Sequence, residues 1–566
     1  MDAGSLLKNT WLSWLLIAVI TILVYMGTFR YGILYNYDDD AYFQDKSIRE
    51  LSMASTRNYF SGYYLGMYQP VPVLSYAVIQ QLFPESVTAQ RLVNFILHCL
   101  NALLVLILVS RITGNKMAGW LTALVFAVHP MHVESVTWIA TRGNLTYSVF
   151  YLLTLICFYD WLQKPLNRKL ILVSVFFLLA LFSKVTAATL PLVMLLLAWY
   201  NGQKFNWKTV LFYLPFFVVA GIFVWVGTQA SGSFGHITEL KSQYSFIDRV
   251  FLILNALWLY MVKAFVPYSQ SVIYLYPWKT GGMLPLSYYI TGGIILVVIS
   301  ALFVAGWKNR KQESGKILLF GLLFFLLTIS IVLPLKWSRT ILIAERYTYL
   351  PYIGLFTAVF VMGISLYRKT GLAVRRILAV LLVALITVYG WLALERNKVW
   401  ENPKTLFGDV ITGNRTTAEI AMGYYNRGNE YLRLGEMEWA EEDYSAALQR
   451  QPSYVEALYN RGLVYMLTNR FEQAVEDLSS SIRLDDRNPD AFVNRGIAYR
   501  SIGKFDLALN DFNTVISRSE SAIAYYNRGT LYYFNYQDTV QGCSDWQTAS
   551  RLGFGAADEL LRQFCK

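Results

Sequence analysis

Apolar runs punctuated by short polar and basic stretches occupy residues 11–400, and a different pattern follows them. The runs fall at 11–29, 91–110, 117–133, 145–162, 170–183, 186–200, 209–228, 290–306, 317–335, 351–367 and 377–394. Each is read as a helix crossing the ~30 Å of bilayer hydrocarbon. A further apolar stretch, 250–267, breaks the alternation of basic loops if it crosses, so it is read as re-entrant or interfacial. Beyond residue 420 a repeat appears. Asn-Arg-Gly recurs at Asn426, Asn460, Asn494 and Asn527, spaced by 34, 34 and 33 residues. Each copy is followed by a tyrosine (Tyr431, Tyr465, Tyr499, Tyr532) and the first three by an alanine (Ala440, Ala474, Ala508), where paired helices approach closely. The expected architecture is all-α: a polytopic membrane bundle of about 11 spans over residues 1–400, a linker at 401–420 and a helical-repeat solenoid over 421–566.

Composition agrees. Of 566 residues 55% are apolar and the mean hydropathy is +0.38, too apolar for a soluble enzyme. Segment 421–566 holds 15 Lys and Arg against 20 Asp and Glu, a net of −5, so the whole-protein charge of +12 leaves +17 in the membrane part. That excess implies cytoplasmic loops and anionic membrane lipids as partners, not nucleic acid. The clusters at 111–116, 164–169, 204–208, 308–316 and 368–376 all point to the cytoplasm. The N-terminus then starts inside on an uncleaved first span, and the repeats lie outside. Cys99 and Cys157 sit in apolar runs as packing residues; Cys543 and Cys565 could pair if the repeats are outside the cytosol.

This topology gathers polar residues on one face, and charged groups at a membrane edge mark a functional site. Asp38, Asp39 and Asp40 follow the first span. Adjacent carboxylates raise a pKa, hold a cation or meet one, and suit proton abstraction from a hydroxyl. His129, His132 and Glu134 have a spacing that could ligate a metal on a helix, but structural hydrogen bonding is the better account; a divalent metal is conceivable and none is required. Arg142, Lys184, Arg339 and Arg346 offer cations to a phosphate leaving group, and Glu345 stands beside Arg346. In the repeats, Asn426, Asn460, Asn494 and Asn527 could hold a peptide backbone. No P-loop, dinucleotide-type glycine motif, His-Glu-x-x-His or Cys-x-x-Cys is present, which argues against a nucleotide-driven pump or a soluble nucleotide-sugar enzyme.

The repeats resemble the tetratricopeptide family, with about three complete units and a degenerate fourth. The ordered set Tyr37-Asp38-Asp39, Asn94 through His98, Phe126 through Glu134, Ala344 through Pro351 and Glu395 through Trp400, followed by repeats, resembles the transmembrane and tetratricopeptide repeat-containing O-mannosyltransferases. The short repeat array suggests a bacterial member. The resemblance implies a C-type glycosyltransferase fold and an inverting transfer of a sugar, mannose by family, from a polyprenyl-phosphate donor to Ser or Thr of an acceptor polypeptide. It assigns the base to Asp38 or Asp39 and the lipid phosphate to Arg346, with Lys184 and Arg142 next. Two other classes remain: a non-catalytic membrane anchor with peptide-binding repeats, and an envelope-polysaccharide ligase or polymerase.

Overall fold

The computed structural model describes residues 10–565 apart from 36, 50, 233–243, 335–340 and 414. Arg339, one of the cations named above, therefore lies outside the described residues. Two compact units emerge, Met1–Leu406 and Phe407–Lys566.

Among the described residues of the first unit eight helices are long and apolar enough to cross a membrane: Leu12–Arg30, Val87–Thr113, Ile139–Gln163, Trp207–Ser231, Leu286–Lys308, Glu313–Ser330, Pro351–Lys369 and Leu372–Val399. Three expected spans are shorter. Lys116–Val128 has 13 residues and Asn167–Ser183 has 17, while the run at 186–200 begins as a 3-10 turn at Val185–Thr189 and leaves only 11 residues of α-helix, Leu190–Tyr200. At 1.5 Å per residue a 13-residue helix covers about 20 Å, less than the hydrocarbon thickness. Lys116–Val128 is instead a core helix, buried on nearly every side, and the residues that were to complete its span, 129–133, turn away as a 3-10 segment and a new helix at Val133–Thr137.

Local signals explain these breaks. Gly114, in the left-handed region at φ 63°, ends Val87–Thr113. Asn115 then caps the next helix by accepting from the Met117 and Ala118 amides. Pro130 follows His129 and forbids the helix to continue. Glu313–Ser330 and Pro351–Lys369 cross with backbones in contact: a Cβ on Gly354 would stand 2.6 Å from the Gly321 carbonyl oxygen. Phe246–Phe265 is a 20-residue amphipathic helix that buries Asp248, Asn255 and Lys263 with its apolar face.

The second unit is a run of helix pairs: Thr417–Arg433 with Met437–Arg450, Val455–Leu467 with Phe471–Leu484, Pro489–Ser501 with Phe505–Arg518, and Ala522–Phe534 with Thr539–Arg551, closed by Ala556–Phe564. Every letter of the repeated tripeptide has a packing reason. The glycines let the pair close: a Cβ at Gly428, Gly462 or Gly496 would meet Tyr444, Leu478 or Phe512 at 2.9, 2.9 and 2.7 Å. The arginines staple the pair, Arg427 to Asp443, Arg461 to Asp477, Arg495 to Asp511 and Arg528 to Asp545, each through two nitrogens at 2.7–2.9 Å. The asparagines bond along the first helices. Asn460 donates to Asn429 at 2.8 Å and Asn494 to the Tyr459 hydroxyl at 3.1 Å, while Asn426 and Asn527 donate to carbonyls one turn back. Ala440, Ala474 and Ala508 are fully buried at the helix crossings. Cys543 and Cys565 form a disulfide that ties the last helix down.

Candidate active site

The extended segment after the first span is threaded through the bundle by one buried guanidinium. Arg91 donates to the carbonyls of Tyr31 at 3.3 Å and Gly32 at 2.5 Å and to that of Thr137. Asp39, wholly buried, completes the tie by accepting from the Ala140 amide at 2.9 Å and the Leu34 amide at 3.3 Å. Burial pushes its pKa up to about 7 against the opposing pull of Arg91 and those two N–H groups. Asp39 is thus a joint between the loops at 31–40 and 133–141.

Asp38 behaves differently. It sits at φ 67°, a left-handed conformation uncommon for a residue with a Cβ, and its side chain is exposed. Strain of this kind costs on the order of 1 kcal/mol or more and concentrates at functional sites. Dehydration by the surrounding protein raises its pKa, and the Arg346 guanidinium opposes that rise. Asp40 turns back on its own helix, accepting from the Ala41 amide at 3.1 Å.

Opposite Asp38 stands Arg346, fixed by Glu134. One Glu134 oxygen accepts the Arg346 backbone amide at 2.7 Å and the other pairs with the guanidinium. The guanidinium lies over the rings of Trp138 at 5.2 Å and Tyr347 at 5.1 Å. Burial works against its charge, but Glu134 more than compensates and its pKa stands above the ordinary value. With one nitrogen on Glu134 and its side chain 16% exposed, it keeps N–H groups that meet no protein acceptor among the described residues. Asn144 relays to a second cation: its amide donates to the Arg346 carbonyl at 3.4 Å and its oxygen accepts from the Lys184 ammonium. Behind them Glu345, buried, accepts from Ser271 N at 2.8 Å, Tyr274 Oη at 3.0 Å and Gln270 Nε2 at 3.1 Å, and faces Arg396 at 3.4 Å. The result is a surface-facing carboxylate beside one fixed cation, with a second cation tied to the same segment through Asn144, an arrangement that can take a proton from a hydroxyl and hold an anionic leaving group at once.

A model of the dolichyl-phosphate-mannose-protein mannosyltransferase family matches residues 69–227, and tetratricopeptide-repeat models match 421–454 and 455–488. Human protein O-mannosyl-transferase TMTC1 is 25% identical over 451 residues, 69% of this chain and 49% of that protein. A Caenorhabditis elegans protein O-mannosyl-transferase, F38B6.6, is 24% identical over 406 residues, 68% of this chain and 54% of that protein. Drosophila melanogaster Tmtc1 is 32% identical over 127 residues, 22% and 14%. The chain is a relative of the transmembrane and tetratricopeptide-repeat O-mannosyltransferases. It spans about half the length of the curated relatives it matches over most of its own. With its apolar helices, this relationship makes it an integral membrane protein.

Within this O-mannosyltransferase relative, the mannosyltransferase match at 69–227 includes Glu134, Asn144 and Lys184, while Asp38 and Arg346 flank it in sequence and join it in space. One of the sequence expectations needs revision. Arg142 is not available to a phosphate: it is fully buried, donates to Asn94, Ser75 and twice to Gln90, and lies 4.0 Å over the Tyr76 ring. Each repeat asparagine spends one N–H inside the solenoid, and its amide has a second N–H and an oxygen besides. His129 and His132 are buried against aromatic rings, His129 bonded to the Ala264 carbonyl at 3.1 Å and His132 to that of Phe126 at 2.8 Å. No group of three His, Cys, Asp or Glu side chains that could hold a metal occurs among the described residues. Asn144, Trp138 and Arg91 belong to the site although their sequence positions did not suggest it. A charged residue inside an apolar run, as Arg91 is, was the signal available for one of them.

Proposed function

We propose that the chain transfers mannose from a polyprenyl-phosphate carrier to Ser or Thr hydroxyls of polypeptides on the non-cytoplasmic face of its membrane. The carrying observation is the exposed Asp38 carboxylate facing the Arg346 guanidinium that Glu134 anchors. In this reading the acceptor oxygen attacks the anomeric carbon as its proton passes to Asp38. The bond from that carbon to the phosphate oxygen breaks, and the polyprenyl phosphate leaves with its charge met by Arg346 and Lys184. Displacement in one step inverts the anomeric centre. Asp39 serves as the joint that holds Asp38, not as the base.

Several features support the lipid carrier. An apolar groove of about 670 Å³ is lined by Trp258, Leu302, Leu322 and Met362 and by Phe265 and Val266, which precede in sequence the loop whose Ser271 amide donates to Glu345. It offers room for an isoprenoid. The Cys543–Cys565 disulfide fits an oxidising compartment for the repeats, the periplasm if the protein is bacterial, where they would present the acceptor. The experiment is transfer of radiolabelled mannose from polyprenyl-phosphate mannose to a Ser/Thr-rich polypeptide by the purified protein in detergent. Alkali-labile label on the polypeptide supports the reading; its absence with this and other lipid-linked sugars overturns it in favour of a non-catalytic anchor.

A further inference from the structure

A solenoid of helix pairs is held by the apolar side chains it buries, and a pattern among those it leaves in water needs another account. In the second unit large exposed apolar residues stand, among the described residues, only at the ends of helices. The turn from the first to the second helix of a pair holds at least one in every repeat: Leu434 and Trp439, then Leu467, then Leu507, then Phe534 and Val540. Val540 is 81% exposed, Leu467 62% and Trp439 57%. Because the pairs stack in one sense, these turns form a single edge of the solenoid. The other edge, made of the turns between pairs, carries Leu484, Ile523 and Leu552 and no exposed aromatic ring among the described residues.

The repeat fold does not require them. Leu467 stands where the neighbouring repeats have Arg433 and Ser501, and Trp439 where the next has Gln473. Leu467, Leu507 and Val540 join none of the apolar clusters that hold the pairs together. What covers them follows from how the repeats are attached. The helix Leu372–Val399 is apolar enough to span the bilayer, and the first repeat helix begins at Thr417. The segment between them reaches at most about 60 Å even if fully extended, so the repeats stay beside the membrane. At that effective concentration a weak surface affinity suffices. The side chains stand one or two to a turn, with polar residues such as Asn469, Lys504 and Gln537 between them. That spacing leaves no continuous patch for a protein partner, whereas a fluid interface adapts to it, and Trp, Phe and Leu settle at headgroup level. Charge narrows the choice further. Segments 433–439, 467–473, 501–507 and 534–540 together hold three basic side chains against five acidic ones, so anionic headgroups repel this edge and zwitterionic ones do not.

We infer that the edge bearing Leu434, Trp439, Leu467, Leu507, Phe534 and Val540 docks on the surface of a zwitterionic bilayer, with these side chains entering among the headgroups. The solenoid is then held edge-on to the membrane, which fixes its orientation as well as its distance. This goes beyond the transferase reading and does not depend on it.

The test places a nitrobenzoxadiazole fluorophore on one cysteine of the full-length protein, in a Cys99→Ala, Cys157→Ala background that leaves the Cys543–Cys565 disulfide in place. Single copies are embedded in phosphatidylcholine nanodiscs, with or without phosphatidylcholine that carries a doxyl quencher near the headgroup end of its acyl chain. The label on Leu467→Cys should be at least about twofold dimmer in doxyl discs than in plain ones. The label on Leu484→Cys, at the other edge, should be equally bright in both. Adding Leu507→Asp and Val540→Asp should remove the loss at Leu467→Cys and leave the thermal midpoint unchanged, since both side chains are exposed. Replacing part of the phosphatidylcholine by phosphatidylglycerol should lessen the loss. A loss equal at both cysteines, no loss at either, or a loss that grows with phosphatidylglycerol overturns the inference. Emission at Leu467→Cys that varies with protein concentration in detergent but not with doxyl lipid would mean that a second copy covers this edge, and overturns it as well. No readout involves sugar transfer, so failure here is separate from failure of the transferase reading.

Discussion

The buried carboxyl of Asp39 makes the stability of the protein depend on pH, a dependence that Asp39→Asn abolishes. Its pKa is about 7 in the folded protein against 3.8 for a solvated aspartate. The folded state therefore binds the extra proton between these values, and stability is greatest below pH ~4 and is lost as pH rises through ~7. Three units at about 1.4 kcal/mol each give roughly 4 kcal/mol across that window, with no further change above it. Asp39→Asn removes the titration and keeps one acceptor for the Ala140 or Leu34 amide, at the cost of the other bond and of the charge facing Arg91. Thermal unfolding in detergent, followed by intrinsic tryptophan fluorescence from pH 4.5 to 8.5, separates the effects. The wild-type midpoint should fall relative to the variant's by several degrees between the two ends, most of it below pH 7. Parallel curves would refute the argument that Asp39 is a desolvated joint.

Three further outcomes follow from packing. Asp477→Asn breaks a two-nitrogen grip on Arg461 that is about one-fifth exposed on the arginine side, and should destabilise the repeat unit by about 1–2 kcal/mol, read as a lower midpoint in denaturant-induced loss of helical circular dichroism. Cys543→Ser, or reduction of wild type, opens a loop with a sequence separation of 22; about 3 kcal/mol should be lost, seen as earlier proteolytic release of the C-terminal helix. Gly354→Leu drives its new side group into the Gly321 carbonyl and Phe324, so the purified protein should lose its monodisperse profile in size-exclusion chromatography, while Gly363→Leu, where nothing lies within 4 Å, should keep it.

Much of this architecture can be read from the residues themselves because two periodicities are strong. The 34-residue spacing announces helix pairs, and the pairs are present where Asn426, Asn460, Asn494 and Asn527 mark them. Apolar length is a weaker guide. It cannot tell Lys116–Val128, a helix encased by protein, from one facing lipid, since both read as uninterrupted Ala, Leu and Val; only Pro130 hinted at the break. The site divides in the same way. Acidic and basic residues at span ends can be found in sequence, and Asp38, Glu134, Lys184 and Arg346 do assemble. Which cation is available depends on acceptors contributed from far along the sequence. Arg142 and Arg346 look equivalent until Gln90 and Asn94 are seen to occupy the first and Glu134 to leave the second an open edge. Likewise three consecutive aspartates are interchangeable in sequence, and only the backbone turn at Asp38 sends one outward and its neighbour into the core.

The account turns on Asp38 as the group that accepts the hydroxyl proton while Arg346 holds the phosphate. The direct test is the initial rate of mannose transfer from polyprenyl-phosphate mannose at saturating donor for wild type and Asp38→Asn, with thermal midpoints measured on the same preparations. The account predicts that the rate falls by a factor of about 100 or more with an unchanged midpoint and unchanged donor KM, while Arg346→Lys raises donor KM. An Asp38→Asn enzyme that transfers mannose at the wild-type rate would contradict it.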